Sequence, residues 1–214
     1  MPILEADYTS PLALKKLLQD HSVQVIISAL SLYDDESASA QMALIDAAVE
    51  SGTVKRFLPS EFGVDYSRPG VVESYPGAKW FNDAADALRE SELEFTRVVF
   101  GQLSDFYGFP HYESHMKQFT YFLDFKSKKA ALPGDGQATA TFLHSVDIAK
   151  YTAALLDEEK WPETSAFASD RMSWIDLVKM AERVMSELIS FKLLSVIADN
   201  CCYRREMGHH VRHS

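Results

Sequence analysis

The chain has 214 residues, 47% of them apolar and 24% charged, which suits one sizeable core with room for a small second lobe and excludes disorder. Its 21 basic and 31 acidic side chains leave a formal charge of −10 with no block of like charge. A field of that sign repels nucleic acid and anionic membranes, so neither is an expected partner.

In chain order, "PILEAD" (2–7) reads as a possible strand. Ser10 followed by Pro11 is an N-cap with proline at the first helical position, opening a helix over "PLALKKLLQD". "VQVIISAL" (23–30) is β-branched and almost wholly apolar, the pattern of a parallel strand covered on both faces. Over 35–51, Ala40, Met42, Leu44, Ile45 and Val49 fall largely on one helical stripe, and Gly52 suits its stop. "VKRFLP" (54–59) is the next strand, a helix lies within 76–91, and "LEFTRVVF" (93–100) is a further strand.

Beyond 109 the pattern changes. "AALPGDGQATATFLH" reads as a hairpin with "PGDG" (133–136) at its turn. Ser145 caps a helix over "VDIAKYTAALLD", and Ser173 with Asp176 resembles a capping box for "WIDLVKMAERVMSEL". The predicted organisation is an α/β core over 1–108, a smaller α+β lobe over 109–188 and a divergent tail over 189–214.

Strands alternating with helices mean βαβ units and a parallel sheet. Such sheets bind ligands just beyond the carboxyl ends of their strands. Ser28–Leu30 and Pro59–Gly63 both fall at such ends and are candidate pocket walls.

The stretch "VKRFLPSEFGVD" (54–65) resembles the NmrA-like, isoflavone-reductase-like family of atypical short-chain dehydrogenases, in its fungal form. "LEFTRVVFGQLSDFYGFPH" (93–111), "KKAALPGDGQATATFLHSVDIAKYTAALLD" (128–157) and "WPETSAFASDRMSWIDLVKMAERV" (161–184) carry the same resemblance, which extends over residues 3–185. It implies a Rossmann domain with a smaller substrate lobe, NADPH as cofactor, and hydride transfer to an unsaturated or carbonyl-bearing small molecule. It places Ser28, Ala29, Leu30, Ser60, Glu61 and Phe62 at the dinucleotide, with hydroxyl and backbone donors near the nicotinamide and Phe62 as an apolar wall. It also implies a lysine on the following helix as proton donor or base, a task that burial and a neighbouring cation suit by lowering its pKa. Lys79 is the one lysine in 70–92, while Phe81 occupies the aligned place. Tyr75 and Lys79 spell Y-x-x-x-K, but Pro76 and Gly77 follow the tyrosine, so the helix begins after it and the two are not read as a catalytic pair.

A dinucleotide site normally opens with strand, Gly-rich turn and helix, the glycines and helix N-terminus holding the pyrophosphate. No G-x-G-x-x-G or G-x-x-G-x-x-G stands here. Aligned by resemblance, Met1 falls near the third strand of the family's sheet, so a family member lacking its first two strands is expected, with the edge of "VQVIISAL" left open. The displaced lysine, and Leu103 where the family has an aromatic, also suit a second reading as a non-catalytic, dinucleotide-sensing regulator, and an inactive fragment is a third. Cys201 and Cys202 are adjacent and imply no disulfide. With His209, His210 and His213 they lack the spacing of structural zinc, so no metal is expected. The opening "MPILEADYTS" has no leader-like apolar segment and no apolar run approaches about 18 residues, so a cytoplasmic setting is the expectation.

Overall fold

The computed structural model describes residues 3–109, 111–117 and 119–194. Its chain order begins α1 (Pro11–Asp20), β1 (Val25–Ile27), α2 (Asp35–Ser51), β2 (Arg56–Leu58), α3 (Val71–Ser74), α4 (Ala78–Arg89), β3 (Glu94–Phe95) and β4 (Arg97–Val99). It continues β5 (Gln102–Leu103), α5 (Asp105–Gly108), β6 (Leu123–Asp124), β7 (Lys129–Pro133), β8 (Thr139–Leu143) and α6 (Ser145–Leu155). The last elements are β9 (Thr164–Ala166), β10 (Asp170–Ser173), α7 (Trp174–Met185) and β11 (Ser190–Leu194). The chain divides into two compact units. One takes the described chain up to Gln102 with Val146–Ala168, and the other takes Leu103–Ser145 with the described chain from Ser169 onward.

In the first unit β1, β2 and β3 form a parallel sheet in that order, registered Ile26 to Phe57 and Phe57 to Phe95. Helices α2 and α4 make the crossovers that parallel strands require. Phe57 lies at the centre, fully buried with Leu14, Ile45, Ala48 and Leu88 around it. Asp34 starts α2 with a capping box: its carboxylate accepts the Ser37 amide at 2.9 Å, and Ser37 Oγ accepts the Asp34 amide at 3.2 Å. Gly52 stops the helix at φ +68°, a left-handed turn that a side chain would strain. Asp34→Ala is expected to lower unfolding free energy by about 1 kcal/mol, read as an earlier urea midpoint at unchanged m-value.

The second unit packs α7 on two short sheets, ordered β10-β8-β5 and β11-β7-β6. Its core gathers Leu132, Phe142, Trp174, Leu177 and Val178, with the Phe142 and Trp174 rings edge to face at 5.9 Å. Ser173 caps α7 by accepting the Asp176 amide at 3.1 Å, as its sequence pattern predicts.

Five expectations change. Ile3–Asp7 form no strand, because nothing among the described residues offers them a ladder. β1 has one covered face: Ile26 is buried, while Val25 and Ile27 on the other face are 39% and 43% exposed. "LEFTRVVF" breaks into β3 and β4 at Thr96, since β3 pairs with β2 but β4 pairs in parallel with β9. The "PGDG" turn forms, with Gly134 and Gly136 at positive φ, yet β7 and β8 go to different sheets rather than pairing as a hairpin. Ser145 is not the residue before α6 but its first residue, and its hydroxyl donates to Asp105.

The span read as a divergent tail opens with β11, which runs parallel to β7 from Ser190↔Lys129 to Leu194↔Pro133. Cys201, Cys202, His209, His210 and His213 lie outside the described residues. Among the described residues no helix is long and apolar enough to cross a membrane, and no cluster of His, Cys, Asp and Glu could hold a metal ion.

Candidate functional site

The carboxyl ends of β1 and β2 lie side by side because their ladder runs to Ile27↔Leu58 and then one bond further, the Ser28 amide donating to Leu58 O at 2.8 Å. The chains that leave those ends carry six of the seven predicted site residues. Ser28 is buried, Ala29 exposed, and Leu30, Ser60 and Phe62 half-buried, while Glu61 is buried at 2% exposure. Ser60 Oγ donates to Leu30 O at 2.7 Å, so the two predicted walls touch directly.

Much of the polar capacity predicted for a ligand is already used inside the protein. The Ser60 amide donates to Gln41 Oε1 at 2.8 Å, and Ser28 Oγ donates to the same oxygen at 2.9 Å. The Glu61 carboxylate turns inward to Arg97 of β4, which grips it through two nitrogens, Nε to Oε2 at 2.7 Å and Nη2 to Oε1. Arg97 Nη2 also approaches Asp65 Oδ1 at 3.5 Å. Burial pushes the Glu61 carboxyl upward against the pull of that guanidinium, and the hydrogen bonds to Glu61 hold Arg97 firmly charged. The consequence is mechanical. Glu61 anchors the loop, and Gly63 docks beside Val99, its carbonyl accepting the Phe100 amide at 2.8 Å.

The side chains of Ala29, Leu30 and Phe62 are apolar, and the Ser60 hydroxyl, its proton given to Leu30 O, keeps only its accepting lone pairs. That composition suits the flat face of an aromatic or nicotinamide ring. Gly-rich backbone able to cradle a pyrophosphate is not among the described residues. A groove of about 340 Å³ lined by Tyr151, Leu155, Glu158 and Phe167 includes none of the predicted residues.

Lys79 is placed elsewhere. Helix α4 buries Ala78, Phe81, Ala84, Ala85 and Leu88, and Lys79 stands off that stripe with its side chain 67% exposed and paired to Asp83. Phe81, at the aligned place, is the inward residue and stacks on Tyr66 at 4.1 Å. Tyr75 ends α3 and precedes α4, so no helical turn joins it to Lys79.

Two residues central to this arrangement are not read from the sequence. Gln41 had a signal: it precedes Leu44, Ile45 and Ala48 at helical spacing on the buried stripe, so a polar group there needs a purpose. Arg97 had one too, as the one basic residue in the mainly apolar run 93–100, although its partner Glu61 lies far off in sequence.

The chain matches the NmrA-like family over residues 2–201. Oxidoreductase swnN of Metarhizium robertsii is 33% identical over 201 residues, covering 83% of this chain and 59% of the relative. Oxidoreductase BOA1 of Botryotinia fuckeliana is 29% identical over 185 residues, covering 86% and 61%. Among solved structures, AtPrR2 with NADP+ and (+)pinoresinol superposes with a TM-score of 0.72 at 24% identity, over 90% of this chain and 61% of that one. The fold is therefore that of the Rossmann-like reductases. This chain spans about three-fifths of the length of these curated relatives.

Proposed function

This chain belongs to the NmrA-like family, and from that premise we propose that it serves an NADPH-dependent oxidoreductase that passes hydride to an unsaturated or carbonyl-bearing small molecule. The observation that carries the reading is the joined pair of strand-end walls, Ser28–Leu30 with Ser60–Phe62, at the place where parallel sheets take ligands. Bound NADPH supplies the hydride. Leu30 and Phe62 exclude water from the ring, and the Ser60 hydroxyl oxygen, its proton on Leu30 O, accepts from a polar edge of the ring or substrate, while the cytoplasm is the proposed setting.

A second reading, a non-catalytic regulator that senses the dinucleotide, is favoured by one observation. The titratable side chain in the wall itself, Glu61, is committed to Arg97, and Lys79 faces solvent. NADPH binding by calorimetry, followed by NADPH consumption with a panel of aromatic carbonyl compounds, separates the two. Turnover supports the oxidoreductase, binding without turnover supports the regulator, and absence of binding overturns both for this chain. Loss of a general acid or base costs about 10²–10⁴ in rate. Lys79→Met is expected to stay within about threefold of the parent, and a hundredfold loss would return the proton to that lysine.

A further inference from the structure

Gln41 sits on the buried face of α2 at 1% exposure, beneath both strand ends. A backbone amide can only donate, so the bond from the Ser60 amide identifies the contacting amide atom as oxygen. Ser28 Oγ must then donate to that same oxygen. The nitrogen of the side chain, Nε2, is buried and has no hydrogen-bond partner among the described residues. One end of this amide does two tasks and the other end none.

A side chain that served stability alone would be apolar here, since an idle buried N–H is unfavourable and methionine would fill the same length without it. What the amide oxygen provides is alignment. The β1–β2 ladder stops at Leu58 O, and beyond it the two chains are joined through side chains: Ser28 and Ser60 through Gln41, and Ser60 to Leu30 directly.

We propose that Gln41 is a positioning residue whose Oε1 clamps the chain after β1 to the chain after β2, fixing the spacing of the two walls that face the ligand. What the walls face rests on the dinucleotide reading above; the clamp itself rests on geometry.

The test is amide hydrogen exchange on the ligand-free full chain, for the parent, Gln41→Met and Gln41→Glu. Glutamate keeps an acceptor oxygen at the clamp whether ionised or protonated, whereas methionine keeps none. In Gln41→Met the Ser60 amide is expected to exchange about tenfold faster or more, with Phe57 and Leu58 unchanged, and Gln41→Glu is expected to restore Ser60 protection. Unaltered Ser60 protection in Gln41→Met overturns the clamp. So does a loss shared equally by Phe57 and Leu58, which would mark general loosening. NADPH titration of the same three proteins follows, with affinity expected to fall about tenfold in Gln41→Met and to recover in Gln41→Glu. Equal affinities in all three would overturn the positioning role. If the exchange pattern holds while the parent binds no NADPH, the dinucleotide reading fails and the clamp stands.

Discussion

Replacing Arg97 by methionine is expected to lower the unfolding free energy by about 3–5 kcal/mol. The side chains of Arg97 and Glu61 are 3% and 1% exposed, and the guanidinium meets both carboxylate oxygens. Removing the cation strands Glu61 in a site that water does not reach, where it must either ionise unpaired or take up a proton. The loss should therefore shrink towards acid pH, where protonation relieves the buried charge. Changing both residues, Arg97→Met with Glu61→Leu, is expected to recover most of the loss, because a well-packed apolar pair can match a buried ion pair. Guanidinium unfolding followed by tryptophan emission, in a Trp174→Phe background, checks this in the first unit, where Trp80 and Trp161 lie. A double variant no more stable than Arg97→Met would mean that lost packing, not stranded charge, is the cause.

Asp105 governs the second large effect, and it governs it through pH. Its carboxylate is 2% exposed; Oδ1 accepts the hydroxyls of Ser114 and of Ser145, the latter at 2.6 Å, and Oδ2 accepts the Ser145 amide at 2.8 Å. His144 Nε2 stands 3.7 Å from Oδ1. Burial pushes this carboxyl upward, but the hydroxyl and amide donors together with His144 outweigh it and hold it below the ordinary aspartate value. A carboxyl that is more acidic in the folded than in the unfolded chain adds stability above its unfolded pKa of about 3.9, and that stability is lost as pH falls through the lower folded value. Asp105→Ala is expected to cost about 1–3 kcal/mol at neutral pH, because three partly buried donors lose their acceptor. Asp105→Asn removes the titration, so its urea midpoint should vary less than the parent's below about pH 4. Parallel midpoint curves for parent and Asp105→Asn from neutral to acid pH would assign the acid loss to other carboxylates.

The signals legible in the sequence were the local ones. Ser10 with Pro11, Gly52, and Ser173 with Asp176 act within one helical turn, so the residues that decide each end stand next to each other. The strand end at Pro59 and the neighbouring positions of Ser28 and Ser60 were legible for the same reason, since a parallel ladder follows from apolar runs and crossover helices. What the Glu61 side chain does was not legible: its partner Arg97 stands on another strand, 36 residues on, and only the fold brings the two together. Lys79 was legible in principle, for Ala78, Phe81, Ala84, Ala85 and Leu88 mark the inward face and leave the lysine off it. The break at Thr96 was not. Thr96 is fully buried, bonded to Ser165 across the strand gap at 2.8 Å, and only the arrival of β9 reveals that one apolar run serves two ladders.

That break has a consequence in time. The ladder from β1 to β3 is complete once Phe95 has been made, but the partner of β4 begins at Thr164, and the bonds that lock it, the Arg97 amide to Glu163 O and the Phe167 amide to Val99 O, bracket β9. Pairings that close long stretches of chain form late. Because Gly63 is held beside Val99, the loop from Ser60 is tied to a strand whose other ladder closes only with β9. During synthesis the β1–β3 ladder can thus be complete well before the β4–β9 ladder, and a nascent chain halted short of Thr164 would hold the first without the second.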